Sequence, residues 1–224
     1  VDTQVAIIQY ASGDAKSALK SAKDAVSAQP DRAPAQLILA DVVKTVQSPE
    51  KAAQVLEKAW KIEPHPLYTQ AYIKLKGAQA PDAILEAVQS LIGKKTDHPL
   101  AKLELGRAQL AAGDLSAARQ TLTEAEQARP SHEVYRALAA LAQEEGASFE
   151  EINELQGKAL LYPRRDSWVC SECWDERQEW SAVCPSCESF DTLTWGQEQQ
   201  TNQTQSLQLE QRMASSVGLL ENRS

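Results

Sequence analysis

The chain has 224 residues, which is enough for one large domain or two small ones. Its net charge of -8 argues against a nucleic-acid or anionic-membrane surface, because both of those partners are negatively charged. No apolar run is long enough to span a membrane, so we expect this chain by itself to be soluble.

Residues 1–165 contain an internal repeat of small residues and prolines. Two copies lie 34 residues apart, at Ala6, Ala18, Ala25 and Pro30 and then at Ala40, Ala52, Ala59 and Pro64. A third copy has the same internal spacings at Gly106, Ala118, Ala125 and Pro130. Small residues let two helices approach closely, and proline ends the second helix of each pair. The pattern resembles the tetratricopeptide repeat (TPR) and predicts an all-α, TPR-like α-solenoid of helix pairs.

The middle unit departs from this pattern, because Lys74 and Glu86 stand at positions that are small in the other units. We expect a degenerate helix pair there, over residues 67–77 and 81–92. The last helix of the array is expected over residues 149–161. Together these helices make about four and a half repeat units.

A TPR array offers a concave surface lined by the first helix of each unit. The repeat pattern places seven candidate residues in this groove: Tyr10, Asp41, Lys44, Arg107, Leu110, Leu141 and Glu144. Their mixture differs from the basic-and-asparagine clamp that some TPR domains use for acidic C-terminal tails. We therefore expect the groove to bind a partner helix or an extended peptide. The alternative, that these are ordinary solvated helix positions, stays open.

The three histidines begin successive repeat units, at His65, His98 and His132. We interpret them as solvated loop residues that lie about one repeat apart on a ridge. No Ser/His/Asp set, glycine-rich phosphate loop or pair of catalytic carboxylates stands out. We therefore expect no enzyme activity.

Residues 166–196 hold every cysteine of the chain, in two C-x-x-C pairs: Cys170, Cys173, Cys184 and Cys187. Two such pairs can close on one tetrahedral ion. So short a segment cannot fold on apolar burial alone, whereas bound Zn²⁺ supplies on the order of 10 kcal/mol. The pattern predicts a rubredoxin-like or zinc-ribbon module with a structural metal, because four sulfurs leave no position for a catalytic water.

Three other interpretations of these cysteines stay open. Two disulfides would suit a secreted protein, although no signal peptide is visible. A thioredoxin-like redox pair would require a βαβ setting, which this segment lacks. Iron is the main rival to Zn²⁺, since four thiolates bind either metal.

Only residues 162–166 connect the last repeat helix to the ribbon. A junction this short predicts that the ribbon packs on the end of the array as its C-terminal cap. Residues 197–224 are rich in glutamine and poor in apolar residues, which is typical of disorder. Within them, residues 206–220 have a weak helical spacing that would allow a short docked helix, at Leu207, Leu209, Met213 and Val217.

The ribbon resembles the C-terminal signature of HemY-type proteins of alphaproteobacteria. Three segments carry the resemblance: Trp168-Val-Cys-x-x-Cys, Glu179-Trp-Ser-Ala-Val-Cys-Pro-x-Cys187 and Phe190-Asp-Thr-Leu-x-Trp195. The resemblance implies a scaffold associated with haem biosynthesis, with haem-pathway enzymes as partners. It also implies a place at the cytoplasmic face of the inner membrane, anchored by a region upstream of Val1. One departure is Trp174 and Glu188, where that family favours glycine, which puts the tightness of each C-x-x-C turn in question.

The LapB-like family is the second resemblance, since it also joins TPR units to a rubredoxin-type module. It implies an adaptor that regulates lipopolysaccharide synthesis through a membrane protease. Its expected tryptophan lies two residues before the third cysteine, where this chain has Ala182, and Trp180 lies four before. This difference favours the HemY-type interpretation. An iron-carrying electron-transfer module is the remaining alternative.

Overall fold

The computed structural model describes residues 1–164 and 166–196. Ten α-helices lie in this part of the chain: α1 Asp2–Ala11, α2 Ala15–Ala28, α3 Ala33–Val46, α4 Pro49–Ile62, α5 Pro66–Lys76, α6 Pro81–Ile92, α7 Pro99–Ala111, α8 Leu115–Ala128, α9 His132–Glu144 and α10 Phe149–Leu160. Three short strands follow: β1 Trp168–Cys170, β2 Glu176–Arg177 and β3 Leu193–Trp195. The predictions for residues 197–224 fall outside the described residues.

Each pair of consecutive helices forms one repeat unit, and each first helix also contacts the first helix of the next unit. Helices α1, α3, α5, α7 and α9 thus form one layer, and the second helices form the other. The turns inside units follow from local chemistry. Asp14 and Asp114 accept hydrogen bonds from the backbone N–H groups of Ser17 and Ala117, each at 3.1 Å, and so cap α2 and α8. These observations confirm the predicted TPR-like array.

The degenerate middle unit still forms a helix pair, within one residue of its predicted bounds. Pro66 and Pro81 begin its two helices, and Gly77 ends α5 in the left-handed region with φ 64°. Tyr68 and Tyr72, each 1% exposed, fill the core of this unit. The unit therefore packs around large aromatic side chains instead of the small residues used elsewhere.

The ribbon contains an antiparallel sheet in the order β2-β1-β3. Trp168 lies opposite Trp195, and Cys170 lies opposite Leu193. This register places two tryptophans side by side at one end of the sheet and the first cysteine at the other.

The ribbon does not cap the C-terminal end of the array, so that prediction was wrong. It folds back toward the first half of the array, where Trp168 and Leu193 share one buried cluster with Trp60, Tyr68 and Tyr72. Large aromatic side chains near the start of α5 provide an apolar seat for the tryptophans, which explains the placement. No helix within the described ranges has the length and hydropathy of a membrane span.

Candidate metal centre and partner groove

The four cysteine sulfurs form one compact cluster, with all Sγ atoms within 4.8 Å of one another. The Sγ atoms of Cys170 and Cys187 are 3.7 Å apart, and those of Cys173 and Cys184 are 3.6 Å apart. A tetrahedral ion with Zn–S bonds of about 2.3 Å places its sulfurs about 3.8 Å apart. The four sulfurs are therefore spaced to coordinate one metal ion such as Zn²⁺, and an iron ion fits the same four ligands.

Both C-x-x-C pairs lie on tight turns with the same backbone pattern. The backbone N–H of Trp174 donates to the carbonyl of Cys170 at 2.9 Å, and the N–H of Glu188 donates to the carbonyl of Cys184 at 2.8 Å. Trp174 and Glu188 take φ values of 62° and 60°, a region that favours glycine. Both turns thus close with a non-glycine residue at the position of positive φ.

The pKa values of the Cys170 and Cys173 thiols are shifted in opposite directions. Burial raises the pKa of Cys170, but hydrogen bonds from the Thr192 hydroxyl and the Cys173 amide outweigh it and lower that pKa to about 6. The amide of Asp175 lowers the pKa of Cys173, but desolvation and the neighbouring thiols raise it to about 12. Four thiolates at this spacing repel one another, so all four would ionise together only with a cation between them.

His65, at the start of α5, is the centre of the contact between ribbon and array. Its ring stacks on Trp168 at 6.1 Å between centroids and meets Trp195 at 4.9 Å. Its Nδ1 accepts a hydrogen bond from the backbone N–H of Leu67 at 3.2 Å, so the proton of the neutral ring resides on Nε2. Burial lowers the pKa of His65 to about 4. The docked state therefore contains neutral His65.

Arg32 makes the second contact, from the loop between α2 and α3. Its guanidinium forms a two-pronged ion pair with the Asp191 carboxylate, and one of the two bonds measures 3.1 Å. The same guanidinium lies over the ring of Trp180, 5.6 Å from its centroid. Sequence reasoning missed both His65 and Arg32 as docking residues.

The interpretation of the histidines as solvated loop residues is corrected by their burial. His65 and His98 are half-buried, and His132 is buried. His98 accepts a hydrogen bond from the N–H of Leu100 at 3.2 Å, and His132 Nδ1 lies 3.0 Å from the carbonyl of Ala159. The recurring histidines serve structural roles at unit starts. The His-Pro pairs at 65–66 and 98–99 were the available signal, because proline in the first turn leaves the preceding side chain to cap the helix.

The predicted groove residues lie on the first helices, but they differ in accessibility. Lys44, Arg107, Asp41 and Glu144 are exposed, and Tyr10 and Leu110 are half-buried. The prediction that Leu141 lines the groove was wrong. Leu141 is 1% exposed, because it packs in the core that the last two units share. A core side chain is not available to a partner, so Leu141 does not line the groove.

One polar group on the first helices escaped sequence reasoning. The Glu104 side chain is 11% exposed, and its carboxylate lies 3.4 Å from the Arg107 guanidinium, one turn away on α7. Burial raises the pKa of Glu104 although Arg107 opposes the shift. Arg107 also reaches the backbone carbonyl of Glu133 on α9 at 3.5 Å. The spacing of Glu104 and Arg107 was the sequence signal.

A cleft of about 480 Å³, open to solvent, lies between the loops that join the units and the end of the ribbon. Its walls bring together His98, Val134, Tyr162, Pro163, Trp195 and Gly196. The last described residue of the ribbon thus lies beside the segment that follows α10.

These features define a helical-repeat protein with a small ribbon whose four clustered cysteines fit a single metal ion. Residues 75–142 match the family model described as tetratricopeptide repeat. The comparison with curated protein sequences found no significant match.

Several solved repeat structures are similar to this chain. A MamA crystal structure is 20% identical with a TM-score of 0.41, covering 70% of this chain and 93% of its own. TTC0263, described as a thermophilic TPR protein in Thermus thermophilus, is 19% identical with a TM-score of 0.43, covering 71% and 89%. MamA from Desulfovibrio magneticus RS-1 is 13% identical with a TM-score of 0.42, covering 70% and 90%. The helix pairs and the matched family model, and not these structures, identify the repeat architecture.

Proposed function

We propose that this protein is a non-enzymatic scaffold whose groove binds a partner helix or peptide. The division into an array over residues 1–165 and a ribbon over 166–196 is part of the proposal. Its main support is the layer of first helices, which carries exposed Asp41, Lys44 and Arg107 between apolar and aromatic groups. Mixed charges of this kind suit an amphipathic partner better than a uniformly acidic one.

The role proposed for the metal is structural. Cys170, Cys173, Cys184 and Cys187 would hold Zn²⁺, and the ion would join the two C-x-x-C turns into one rigid module. The module then keeps Trp168 in contact with the array near His65. Rigidity at this contact holds the neighbouring first helices in one arrangement and so preserves the groove for its partner.

An iron-carrying electron-transfer module is the second candidate. The exposed position of Cys173 favours it, because an exposed ligand shortens the path for an electron to a docked partner. Metal analysis and absorption spectroscopy of the purified protein separate the candidates. An iron-thiolate protein is red and a zinc protein is colourless, so red protein with one iron per chain would overturn the structural-zinc proposal.

The pathway proposed for this scaffold is haem biosynthesis at the cytoplasmic face of the inner membrane, with anchoring through a region outside this chain. The support is the resemblance of the ribbon to the HemY-type signature, together with the glutamate-tryptophan pair at Glu179 and Trp180. The LapB-like adaptor of lipopolysaccharide synthesis remains the alternative.

Affinity capture of the full-length protein from its native membrane tests this pathway. Late haem-pathway enzymes in the captured set would support it, and a membrane protease with lipopolysaccharide enzymes would support the alternative. A variant with Lys44→Glu and Arg107→Glu is expected to lose the partners. Lys20→Glu with Lys23→Glu, on exposed positions of the second helix α2, is the matched control and should keep them. Equal capture by both variants would remove the groove from the proposal.

A further inference from the structure

The last helix pair, α9 and α10, has an uncovered outer face. The second helix of the preceding unit, α8, packs against both α7 and α9. Among the described elements, α10 contacts α9 alone, because the ribbon packs near α5. Phe149, Leu160 and Leu161 are consequently 78%, 80% and 79% exposed. This position is the one that a further first helix would occupy.

A groove of about 440 Å³ runs between α9 and α10 on that face. Ala139, Ala140, Ala159 and Leu160 line it, and Gln143 and Gln156 flank them. The small residues leave room for larger side chains from an incoming element. Gln156 stands at the place in the repeat that Leu56 and Leu122 occupy in inner units, where each leucine is buried. The face is therefore built to be covered, with a more polar margin than an inner interface.

We propose that the C-terminal segment 209–220 of this same chain covers this face. Its apolar residues Leu209, Met213, Val217 and Leu220 would fall within about 80° of one another at helical spacing. The segment has the length of α10, which has 12 residues. The chain thus supplies its own amphipathic element of a size that fits the groove.

The path of the chain supports this assignment. Gly196 lies in the cleft shared with Tyr162, two residues after α10, and with Val134 of α9. The intervening residues 197–208 reach about 40 Å when extended, which is more than the length of α10. A tethered segment also acts at a high effective concentration, so it is favoured over a free partner of equal affinity.

Hydrogen–deuterium exchange of the full-length, metal-loaded protein tests the proposal. Met213→Asp places a charge in the centre of the apolar face and is expected to speed exchange in residues 149–160 by about tenfold, the factor expected from losing one buried apolar contact. Gln211→Asp adds the same charge on the opposite side of the segment and should leave exchange unchanged. Exchange in α1 and α2 serves as the internal reference.

Two outcomes would overturn the proposal. Equal exchange of residues 149–160 in the wild type and in both variants would mean that the segment does not cover the face. Protection that grows with protein concentration, together with a doubled mass in light scattering, would assign the face to a second copy of the chain. Leu160→Lys provides a second route, since its 80% exposure keeps it out of the fold's core. It should speed exchange in residues 209–220.

Discussion

Arg32, in the loop that precedes α3, holds Asp191 of the ribbon across 159 positions of sequence. The Arg32 and Asp191 side chains are 22% and 38% exposed, so the ion pair is partly shielded from water. With the ring of Trp180 beside the same guanidinium, this contact fixes the orientation of the ribbon on the array. The ribbon is thus fastened to the first half of the array, although it follows the last helix in sequence.

Arg32→Ala is expected to weaken the docking of the ribbon by about 1 kcal/mol, because it removes a partly buried, two-pronged ion pair. Chemical denaturation of Arg32→Ala, Asp191→Asn and the double variant measures the coupling between the two residues. Arg119→Ala is the control, since Arg119 forms an exposed pair with Glu145 away from the ribbon. Additive effects of the two docking substitutions would contradict the contact.

Cys170→Ser is expected to abolish binding of one metal ion per chain and to destabilise the protein by on the order of 3 kcal/mol. Cys170 is 0% exposed and belongs to the buried cluster that contains Trp60 and Tyr72, so its loss reaches the array. Metal content and thermal unfolding measure both effects. Ser171→Ala, at the exposed neighbouring position, should retain the metal. An unchanged melting curve without metal would show that the ribbon contributes nothing to the array.

Acid is expected to release the ribbon through His65. Burial lowers its pKa from 6.5 to about 4 in the folded protein, so the neutral ring is favoured and the unfolded chain binds the proton more readily. The stabilisation from His65 is fully present above pH 6.5 and is lost as the pH falls from 6.5 toward 4. At about pH 5 the loss amounts to about 2 kcal/mol.

His65→Phe isolates this effect, because it keeps an aromatic ring between the tryptophans and removes the proton. Urea unfolding at about pH 7 and about pH 5 should show a smaller pH dependence in this variant than in the wild type, by about 2 kcal/mol. Thiolate protonation acts equally on both proteins and cancels in the comparison. Identical pH dependence in the two proteins would mean that His65 does not titrate in the docked state.

Glu188→Gly is expected to stabilise the ribbon by about 0.5 kcal/mol. The φ of 60° at Glu188 is unfavourable for a residue with a Cβ, and the gain from glycine is reduced by its greater freedom in the unfolded chain. Glu188→Ala keeps the unfavourable conformation and should bring no gain. Unfolding curves of the wild type and the two variants, each recorded with and without metal, provide the measurement. A loss of stability in Glu188→Gly would argue against strain in this turn.

The repeat units could be predicted because their signals are local. Ala18 and Ala52 mark close helix contacts, and the prolines and capping aspartates mark helix ends within a few residues. The four-cysteine cluster could be predicted as well, since metal-ligand spacing is itself a short-range pattern. Both features depend on residues that are near one another in sequence.

The place where the ribbon packs on the array could not be predicted in the same way. It depends on His65 meeting Trp168 and on Arg32 meeting Asp191, and no short-range pattern connects these residues. The short junction suggested capping of the last pair, but it constrains only where the ribbon begins. The aromatic seat beside α5 decides where the ribbon packs. Leu141 was misplaced for a related reason, because helical spacing alone does not separate a groove position from the adjoining core position.

If the metal-bound ribbon stabilises the first half of the array, removing the metal should loosen that half. Hydrogen–deuterium exchange before and after removal of the metal by a chelator measures this loosening helix by helix. We expect faster exchange in residues 166–196 and in α3 to α6, with exchange in α8 and α9 unchanged. Faster exchange confined to the ribbon, or appearing first in α9 and α10, would contradict this expectation.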